Sequence, residues 1–274
     1  MKKSVLQTAL IGDQVAFYYL GQVGFLVKWN GKYLLIDGYL SDYVDKNCCS
    51  ELVNWRRNYP APISAEELDF VDYVFCTHMH YDHADPETLG TLARVNSKAK
   101  YIVSAANVDA IAAYGIKKSD IIGLNADRET VLEEGITVTA IPAAHEVFHR
   151  DDNGEYLEVG FRISLGGATL FHAGDGCPYT GLVDRLLGCD VLLLPINGRD
   201  YFRTVVCDII GCFDSREAAL LAKQVGAKLL IPTHFDLYDC NGVNPAHFVD
   251  VLKSVDPAQP FHVFAPGERF IFAK

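Results

Sequence analysis

The chain lacks the paired cysteines of a disulfide-stabilised protein. Its 274 residues include eight cysteines, and no two of them form a Cys-x-x-Cys pair. Some, such as Cys76, lie in apolar runs, which is typical of reduced thiols rather than of a disulfide framework. We therefore expect a cytoplasmic protein. The start, Met1-Lys2-Lys3, precedes no sustained apolar stretch and no Ala-x-Ala site, so we predict no signal peptide.

Long apolar runs and long basic runs are also missing. No apolar run approaches the ~20 residues needed to cross a bilayer, and we find neither an internal repeat nor a low-complexity linker. Lys and Arg number 24 against 35 Asp and Glu, which gives a net charge of −11. A surface that follows nucleic-acid phosphates needs clustered basic residues. We therefore expect neither a membrane nor a nucleic acid as partner.

The pattern that is present predicts an α/β protein formed as one domain over residues 1–274. Asn30-Gly31 predicts a tight hairpin turn, and Ser64-Ala65-Glu66-Glu67 has the form of a helix capping box. Predicted strands are Val15–Leu20, Phe25–Trp29, Lys32–Ile36, Asp72–Cys76, Tyr101–Ser104, Ile136–Ile141, Val159–Leu165, Ala168–His172, Val191–Pro195, Lys228–Ile231, Phe261–Phe264 and Arg269–Phe272. Predicted helices are Pro86–Val95, Ala105–Tyr114, Asp214–Val225 and a last helix that begins at Asn244-Pro245. This order indicates two sheets with helices outside them.

The strongest chemical signal is a run of histidines directly after the predicted strand that ends at Cys76. Residues 77–83 read Thr-His-Met-His-Tyr-Asp-His. At a strand end, His78 and His80 can point toward one cavity. Asp82 and His83 can then turn toward a second position about 3–4 Å away, which is the spacing of two-metal sites.

Three more candidate ligands follow other predicted strands, namely His145, Asp175 and His234. Each one alone could be no more than a polar residue at a strand end. Asp175 follows Gly174 and could bridge two ions, because a carboxylate has two oxygens. Together with the histidine run they form two three-sided ligand sets, and imidazole suits Zn, Mn, Fe and related divalent metals.

With these motifs the chain resembles the metallo-β-lactamase-fold hydrolases. His-x-His-x-Asp-His, a downstream His, Gly-Asp and a late His occur here in the order of that family, and the resemblance covers nearly the whole chain. It implies an αββα sandwich, a four-layer α/β (α+β) fold with metals at one edge between the sheets. Asp37 resembles the family's first motif, which would support the ligand loop through hydrogen bonds.

Within that superfamily the chain is most similar to the L-ascorbate-6-phosphate lactonase-like branch. The matching stretches are Tyr19–Phe25, Thr77–Asp85, Phe171–Asp175 and Leu230–Asp236. One residue departs from the pattern: those lactonases carry an acidic residue where this chain has His145. A histidine there is common in the di-metal phosphodiesterases and thioesterases of the fold. The resemblance therefore bears on the architecture and leaves the substrate open.

The resemblance implies a site for two divalent metal ions, Zn or Mn, with Fe as a further option. One metal would take His78, His80 and His145, the other Asp82, His83 and His234, and Asp175 would bridge them together with a water or hydroxide. Two cations bring +4 against −2 from two ligand carboxylates, which lowers the pKa of the bridging water. That hydroxide would attack a carbonyl or phosphoryl centre. Asp82 is the candidate catalytic residue, because it could orient the nucleophile or carry a proton.

Several residues outside this set have less specific signals. Arg199 is the candidate substrate-binding residue, because a guanidinium near metals can hold a phosphate or carboxylate bidentately. Arg203 and Asp208 lie in the same stretch, and each could either contact the substrate or lie at the plain surface. His172 is predicted to support the ligands, and residues 149–152 are predicted to form a solvated loop.

The sequence therefore predicts a metal-dependent hydrolase that cleaves a small anionic ester or lactone. Two alternatives stay open: a di-metal phosphodiesterase, which His145 favours, and a non-catalytic metal-binding module. The partner would be a small anionic molecule, and the lactonase-like branch also suggests a homo-oligomer.

Overall fold

The computed structural model describes residues 1–274 and contains two β-sheets packed face to face. The strands are β1 (Val15–Gly21), β2 (Gly24–Trp29), β3 (Lys32–Ile36), β4 (Tyr73–Phe75), β5 (Lys100–Ser104), β6 (Ile121–Leu124), β7 (Glu129–Glu133), β8 (Ile136–Pro142), β9 (Val159–Leu165), β10 (Ala168–His172), β11 (Val191–Pro195), β12 (Leu229–Thr233) and β13 (Arg269–Phe272). The helices are α1 (Lys2–Gln7), α2 (Tyr43–Cys48), α3 (Pro86–Val95), α4 (Val108–Ala112), α5 (Leu182–Leu186), α6 (Ser215–Val225) and α7 (Pro245–Val255). Short 3-10 turns lie at Ala65–Glu67, Ala105–Asn107, Lys118–Asp120 and Asp239–Asn241, and a π-helical turn at Phe202–Val206.

Each sheet combines an antiparallel part with a parallel part. The seven-stranded sheet has the order β13-β1-β2-β3-β4-β5-β6, and the six-stranded sheet has the order β12-β11-β10-β9-β8-β7. Strands β3 to β6 are parallel to one another, as are β10 to β12. Parallel strands are usually covered on both faces by helices or by another sheet, and both sheets here meet that condition.

The core has three layers that follow from the two-residue period of the strands. In β1, Val15, Phe17 and Tyr19 point into the space between the sheets. Their neighbours Ala16 and Tyr18 point outward, into the layer under α1, α3 and α4. A third layer lies between the six-stranded sheet and α5, α6 and α7. This is the αββα sandwich that the sequence predicts.

The turn chemistry of the sequence is confirmed in two places. Asn30 and Gly31 both have positive φ, 43° and 76°, and Trp29 pairs with Lys32, so the hairpin has the expected two-residue turn. The backbone N–H of Ser64 donates to Glu67 Oε2 at 3.3 Å, although the segment it begins is one 3-10 turn rather than a longer helix.

Other element predictions were wrong or incomplete. Phe261–Phe264 is not a strand: Phe261 forms a single bridge to Leu230, and Pro260 and Pro266 supply no N–H donors at its ends. The helix predicted at Ala105–Tyr114 is a 3-10 turn followed by the short α4. The sequence patterns also gave no signal for β6, β7, α1, α2 and α5. None of the helices combines the length and the apolarity that a bilayer crossing requires.

Candidate metal centre

The candidate ligands come together at one edge of the sandwich, between the two sheets. Asp37 directly follows β3, and the histidine run follows β4, its parallel neighbour. On the other sheet, His145, Asp175 and His234 follow β8, β10 and β12, which all run in one direction. Carboxyl ends of parallel strands share an edge of a sheet. The order of strands therefore places residues far apart in sequence at one site.

Two neighbouring donor sets form there, each with possible ligand atoms within 4.8 Å of one another. The first contains His78, His80, His145 and Asp175. His145 Nε2 lies 3.3 Å from His80 Nδ1, and the His78 and His80 rings are 4.6 Å apart between centroids. His80 is exposed toward solvent, whereas the other three are buried.

The second donor set contains Asp82, His83 and His234. Asp175 stands between the two sets. Its Oδ1 lies 3.3 Å from His83 Nε2, and its Oδ2 lies 3.4 Å from His234 Nε2 and 3.8 Å from His145 Nε2. One oxygen thus faces the second set and the other oxygen faces both, which is the position that a bridging carboxylate needs.

His78 and His83 fit a metal because the hydrogen bonds of their Nδ1 atoms leave the Nε2 lone pairs free toward the cluster. The Thr77 hydroxyl donates to Asp37 Oδ2 at 2.7 Å, so at 3.1 Å it accepts from His78 Nδ1. His83 Nδ1 donates to Asp37 Oδ2 at 2.8 Å. Both Nε2 atoms, and Asp175 Oδ1, are buried without a hydrogen-bond partner. Buried polar groups rarely stay unpaired, and cations held in the two donor sets would satisfy these three atoms.

Asp37 organises the ligand loop as the sequence resemblance implies. It is fully buried, and its Oδ1 accepts from the Thr77 N–H at 2.8 Å. Its backbone has a positive φ of 45°, which Asp tolerates better than most residues. A carboxylate that fixes the tautomer and orientation of a ligand histidine is typical of metal sites.

A close contact accounts for the glycine that precedes the bridging aspartate. Gly174 has a φ of +57°, and a Cβ at this position would lie 2.6 Å from Thr77 Oγ1. No side chain fits there without displacing Thr77, which in turn supports His78. The Gly-Asp pair is therefore needed both for backbone conformation and for packing against the ligand loop.

Gln22 connects the second donor set to the β1–β2 turn. The side-chain Nε2 of Gln22 lies 3.0 Å from both Asp82 Oδ2 and His234 Nε2. Its backbone carbonyl oxygen accepts from the backbone N–H of His234 at 2.7 Å. Gln22 and His234 both have positive φ, 59° and 58°. Strained backbone of this kind persists where the surrounding structure fixes it, often at functional sites.

Burial and charge shift the pKa values of the cluster in opposite directions. Burial lowers the pKa of His78 well below its ordinary value and that of His145 to about 4, so both rings are neutral at pH 7. Burial also opposes protonation of His83, but the carboxylates of Asp175, Asp82 and Asp37 raise its pKa well above the ordinary value. The second donor set therefore favours a positive charge at its centre, which is the condition for binding a cation.

The centre opens into a cavity of about 400 Å³. The candidate ligands on its floor include His80, Asp82, His145, Asp175 and His234. Its walls are largely apolar, and their apolar residues were not singled out by the sequence patterns: Val44, Trp55, Met79, Tyr81, Ile209 and Ile210. These positions lie in loops and short helices with no period, so only the folded chain identifies them.

Arg199 does not line this cavity. Its Nη2 donates to Glu217 Oε1 at 2.5 Å, and its Nη1 donates to the Cys212 carbonyl at 2.6 Å. The guanidinium thus holds the start of α6, and substrate contact by Arg199 stays a prediction. Asp208, in contrast, is a cavity residue.

The contacts of three further residues, His172, His149 and Cys212, show how each one relates to the centre. His172 accepts from the Gly174 N–H at 3.1 Å and donates to the Val23 carbonyl at 2.7 Å, so neither ring nitrogen is free for a metal. His149 is exposed and contacts Glu158. Cys212 was not predicted, yet its thiol lies within 4.8 Å of donor atoms of Asp175 and His234.

Comparison with known proteins gives relatives over nearly the full length. The chain is 28% identical to a UPF0173 metal-dependent hydrolase from Caldivirga maquilingensis, over 91% of this chain and 95% of that one. It is 27% identical to a UPF0173 metal-dependent hydrolase from Archaeoglobus fulgidus, over 93% and 98% of the two chains.

Solved structures share the fold. A metallo hydrolase from Ignicoccus hospitalis superposes with a TM-score of 0.71 at 22% identity, covering 95% of this chain and 99% of that one. An isothiocyanate hydrolase from Delia radicum gut bacteria gives 0.74 at 17% identity, over 94% and 99%. A family model described as the β-lactamase superfamily domain matches residues 33–235. The chain is thus a member of the β-lactamase superfamily, with the metallo-β-lactamase sandwich and a buried His/Asp cluster suited to metal.

Proposed function

We propose that this chain is a metal-dependent hydrolase with a two-ion centre that cleaves a small ester or lactone. One ion would be held by His78, His80 and His145, the other by Asp82, His83 and His234, with Asp175 shared between them. Zn or Mn suits these ligands, and Fe is a further option. The ions would supply Lewis acidity and a water made nucleophilic near neutral pH.

One observation carries the proposal. His78 Nε2, His83 Nε2 and Asp175 Oδ1 are buried in the donor sets without hydrogen-bond partners, while the opposite nitrogens of His78 and His83 are fixed by Thr77 and Asp37. Without a bound cation this arrangement would be unfavourable, since unpaired buried groups cost free energy. The full-length similarity to metal-dependent hydrolases supports the same conclusion.

Protein side chains would supply the remaining functions of the centre. Asp82 has one oxygen fixed by Gln22, at 3.0 Å, and it lines the cavity. It is therefore placed to orient an attacking water or to pass its proton to the leaving group. The apolar walls exclude bulk water from the substrate, which strengthens electrostatic interactions at the floor.

A phosphodiesterase is the second candidate, and His145 is the observation that favours it. Its ring lies in the first donor set, where the lactonase-like branch has an acidic residue. Reconstituted protein should be assayed with a lactone panel, an aryl ester and bis-4-nitrophenyl phosphate. Turnover of esters or lactones supports the first candidate, and turnover of the phosphodiester alone supports the second.

His80→Ala tests the metal dependence of either reaction, because His80 is exposed and its loss should spare the fold. We expect the variant to lose both metal and turnover. His149→Ala is the matched control, since it removes another exposed histidine outside the cavity. Full activity of metal-free wild-type protein would contradict the proposal.

A further inference from the structure

The cavity above the candidate metal centre has a polar part and an apolar part. Its floor carries the ligands, and its walls are largely hydrophobic. Trp55 is held in place by Tyr238, whose ring it meets edge-on at 5.1 Å. Tyr81 packs edge-on against Tyr43 at 4.8 Å. Rigid aromatic and aliphatic walls are typical of pockets that take an apolar ligand group.

The cavity contains no lysine and no arginine. Outside the donor sets its one charged side chain is the Asp208 carboxylate in the wall, because Asp82 and Asp175 on the floor belong to the donor sets, where bound cations would offset their charge. An anionic substrate group that reaches the walls would therefore meet a like charge and no fixed cation. A like charge with no compensating cation disfavours binding.

Two nearby arginines, Arg199 and Arg203, are not free to offset the negative charge of the cavity. Arg203 donates from Nη2 to the Asn197 carbonyl at 2.8 Å and from Nη1 to Asn241 Oδ1 at 3.2 Å, and its Nε pairs with Asp200. Arg199 is tied to Glu217 in the same way. Both guanidinium groups are thus neutralised by protein partners.

Two other arginines line a separate hollow. Arg56 and Arg57 lie there with Asp239, and none of the residues of that hollow lines the metal-centre cavity. Arg57 already donates to the Ser41 carbonyl at 2.8 Å and stacks on Tyr39. An anion bound there would not share a cavity with the reacting group.

We infer that the substrate of this centre is an uncharged ester or lactone with an apolar acyl portion, which lies against Trp55, Ile209 and Ile210. This inference rests on the proposed hydrolase function and names its substrate class. It replaces the anionic substrate that the sequence led us to expect. Specificity follows from apolar contact in the walls together with repulsion of anions by Asp208.

The test uses two esters that differ at one group: 4-nitrophenyl hexanoate, which ends in a methyl, and mono-4-nitrophenyl adipate, which ends in a carboxylate. We expect metal-loaded wild-type protein to prefer the hexanoate in kcat/KM by about tenfold or more. Ile210→Lys should reduce this preference about tenfold, because it adds a cation to the wall. Asp208→Asn should reduce it by a smaller factor, because the residue is exposed and its charge is screened.

Val131→Lys is the control variant. Val131 is 67% exposed on β7 and does not line the cavity, so the same change there should leave the preference unaltered. Equal rates on the two esters, or a wild-type preference for the adipate, would overturn the inference.

A binding measurement separates this inference from the hydrolase proposal. If protein with its full metal content cleaves neither these esters nor any member of the lactone panel, the proposed function fails. Quenching of tryptophan fluorescence by hexanamide and by adipamate then decides the inference, since Trp55 lines the cavity and Trp29 is buried in the core. Tighter binding of hexanamide supports it, whereas tighter binding of adipamate, or no binding of either, overturns it.

Discussion

At the scale of single residues, the centre depends on groups that hold ligands rather than on ligands alone. Asp37 accepts hydrogen bonds from Thr77 and His83, and Gln22 contacts Asp82 and His234. Removing such a partner leaves the donor set complete but poorly oriented. Metal affinity is therefore the property that should respond first.

Asp37→Asn should lower metal affinity by about 10–100-fold, because the carboxylate that orients His83 is lost. Asn tolerates the positive φ of this position. Asp127→Asn is a matched control: Asp127 also has a positive φ, 61°, but pairs with Arg185 on the surface. Competition with a chromophoric chelator measures both. Equal affinity in Asp37→Asn and wild type would show that the hydrogen bond does not matter.

Gly174→Ala should destabilise the metal-free protein by about 2 to 4 kcal/mol, because left-handed strain and a steric clash add together. Its Cβ would lie 2.6 Å from Thr77 Oγ1. Gly12 has the same φ of +57° and nothing within 4 Å, so Gly12→Ala should cost only about 1 to 2 kcal/mol of strain. Thermal unfolding compares the two. Equal losses would mean that the contact with Thr77 is not required.

The sequence identifies the residues of the donor sets better than it identifies those of the cavity. A run such as His-Met-His-Tyr-Asp-His is typical of a metal site, and the structure brings its members together with His145, Asp175 and His234. Trp55 and Ile209 carry no comparable signal, because hydrophobic residues in loops are common. Their role arises only when loops from distant parts of the chain meet.

At the scale of elements, α6 is a helix whose start the sequence predicts. Glu217 N–H donates to Asp214 Oδ1 at 2.8 Å, and Asp214 N–H donates to Glu217 Oε2 at 2.9 Å. Glu217 also pairs with Arg199, so the cap and the loop before it are joined. Reciprocal caps of this kind satisfy two backbone donors that the helix cannot.

Asp214→Ala should reduce the free energy of unfolding by about 1 kcal/mol, the usual cost of losing a helix cap. Asp250→Ala is the control, because it removes an exposed carboxylate from the interior of α7 rather than from a cap. Chemical denaturation at pH 7 measures both variants. A loss in Asp250→Ala as large as that in Asp214→Ala would contradict the role of the cap.

Strand predictions succeed where the strand itself has a local apolar pattern. They fail where pairing with other strands determines whether a strand forms. β11 is buried throughout and reads as a continuous apolar run. β7 is an edge strand with the sequence Glu-Thr-Val-Leu-Glu and no fully buried residue, so it has no apolar signal. Conversely, Phe261–Phe264 is apolar enough for a strand, yet Phe264 packs between the sheets without a ladder of its own.

At the scale of the whole molecule, contacts between residues far apart in sequence complete the two sheets. β13 pairs with β1, so the two ends of the chain meet in the seven-stranded sheet. Asp190 joins the chain end to the six-stranded sheet: it contacts Lys274 and Lys228, each at 3.0 Å, and accepts from the Thr169 N–H at 2.9 Å. Such pairings span most of the chain and cannot be read from local pattern.

Asp190 also makes stability depend on pH. Burial opposes its ionisation, but the Thr169 N–H, Lys228 and Lys274 hold the pKa of its carboxyl below the ordinary value. Its contribution is therefore complete above the unfolded pKa of about 3.9 and is lost as pH falls through the lower folded pKa. Asp190→Asn should cost about 1 to 2 kcal/mol at pH 7 and less at pH 3.

Thermal unfolding of Asp190→Asn at the two pH values tests this sign. Asp152→Asn, in an exposed loop, is the control and should change stability little at either pH. A difference between Asp190→Asn and wild type that stays constant from pH 7 to pH 3 would contradict the ionic contribution.

The most direct test of the central claim is the metal content of the purified chain after reconstitution with Zn or Mn, measured by elemental analysis. The converging donor sets predict about two ions per chain. The same measurement on His80→Ala should give fewer, and on His149→Ala the same number as wild type. Absence of bound metal in reconstituted wild-type protein would contradict the ligand assignment and the hydrolase function that depends on it.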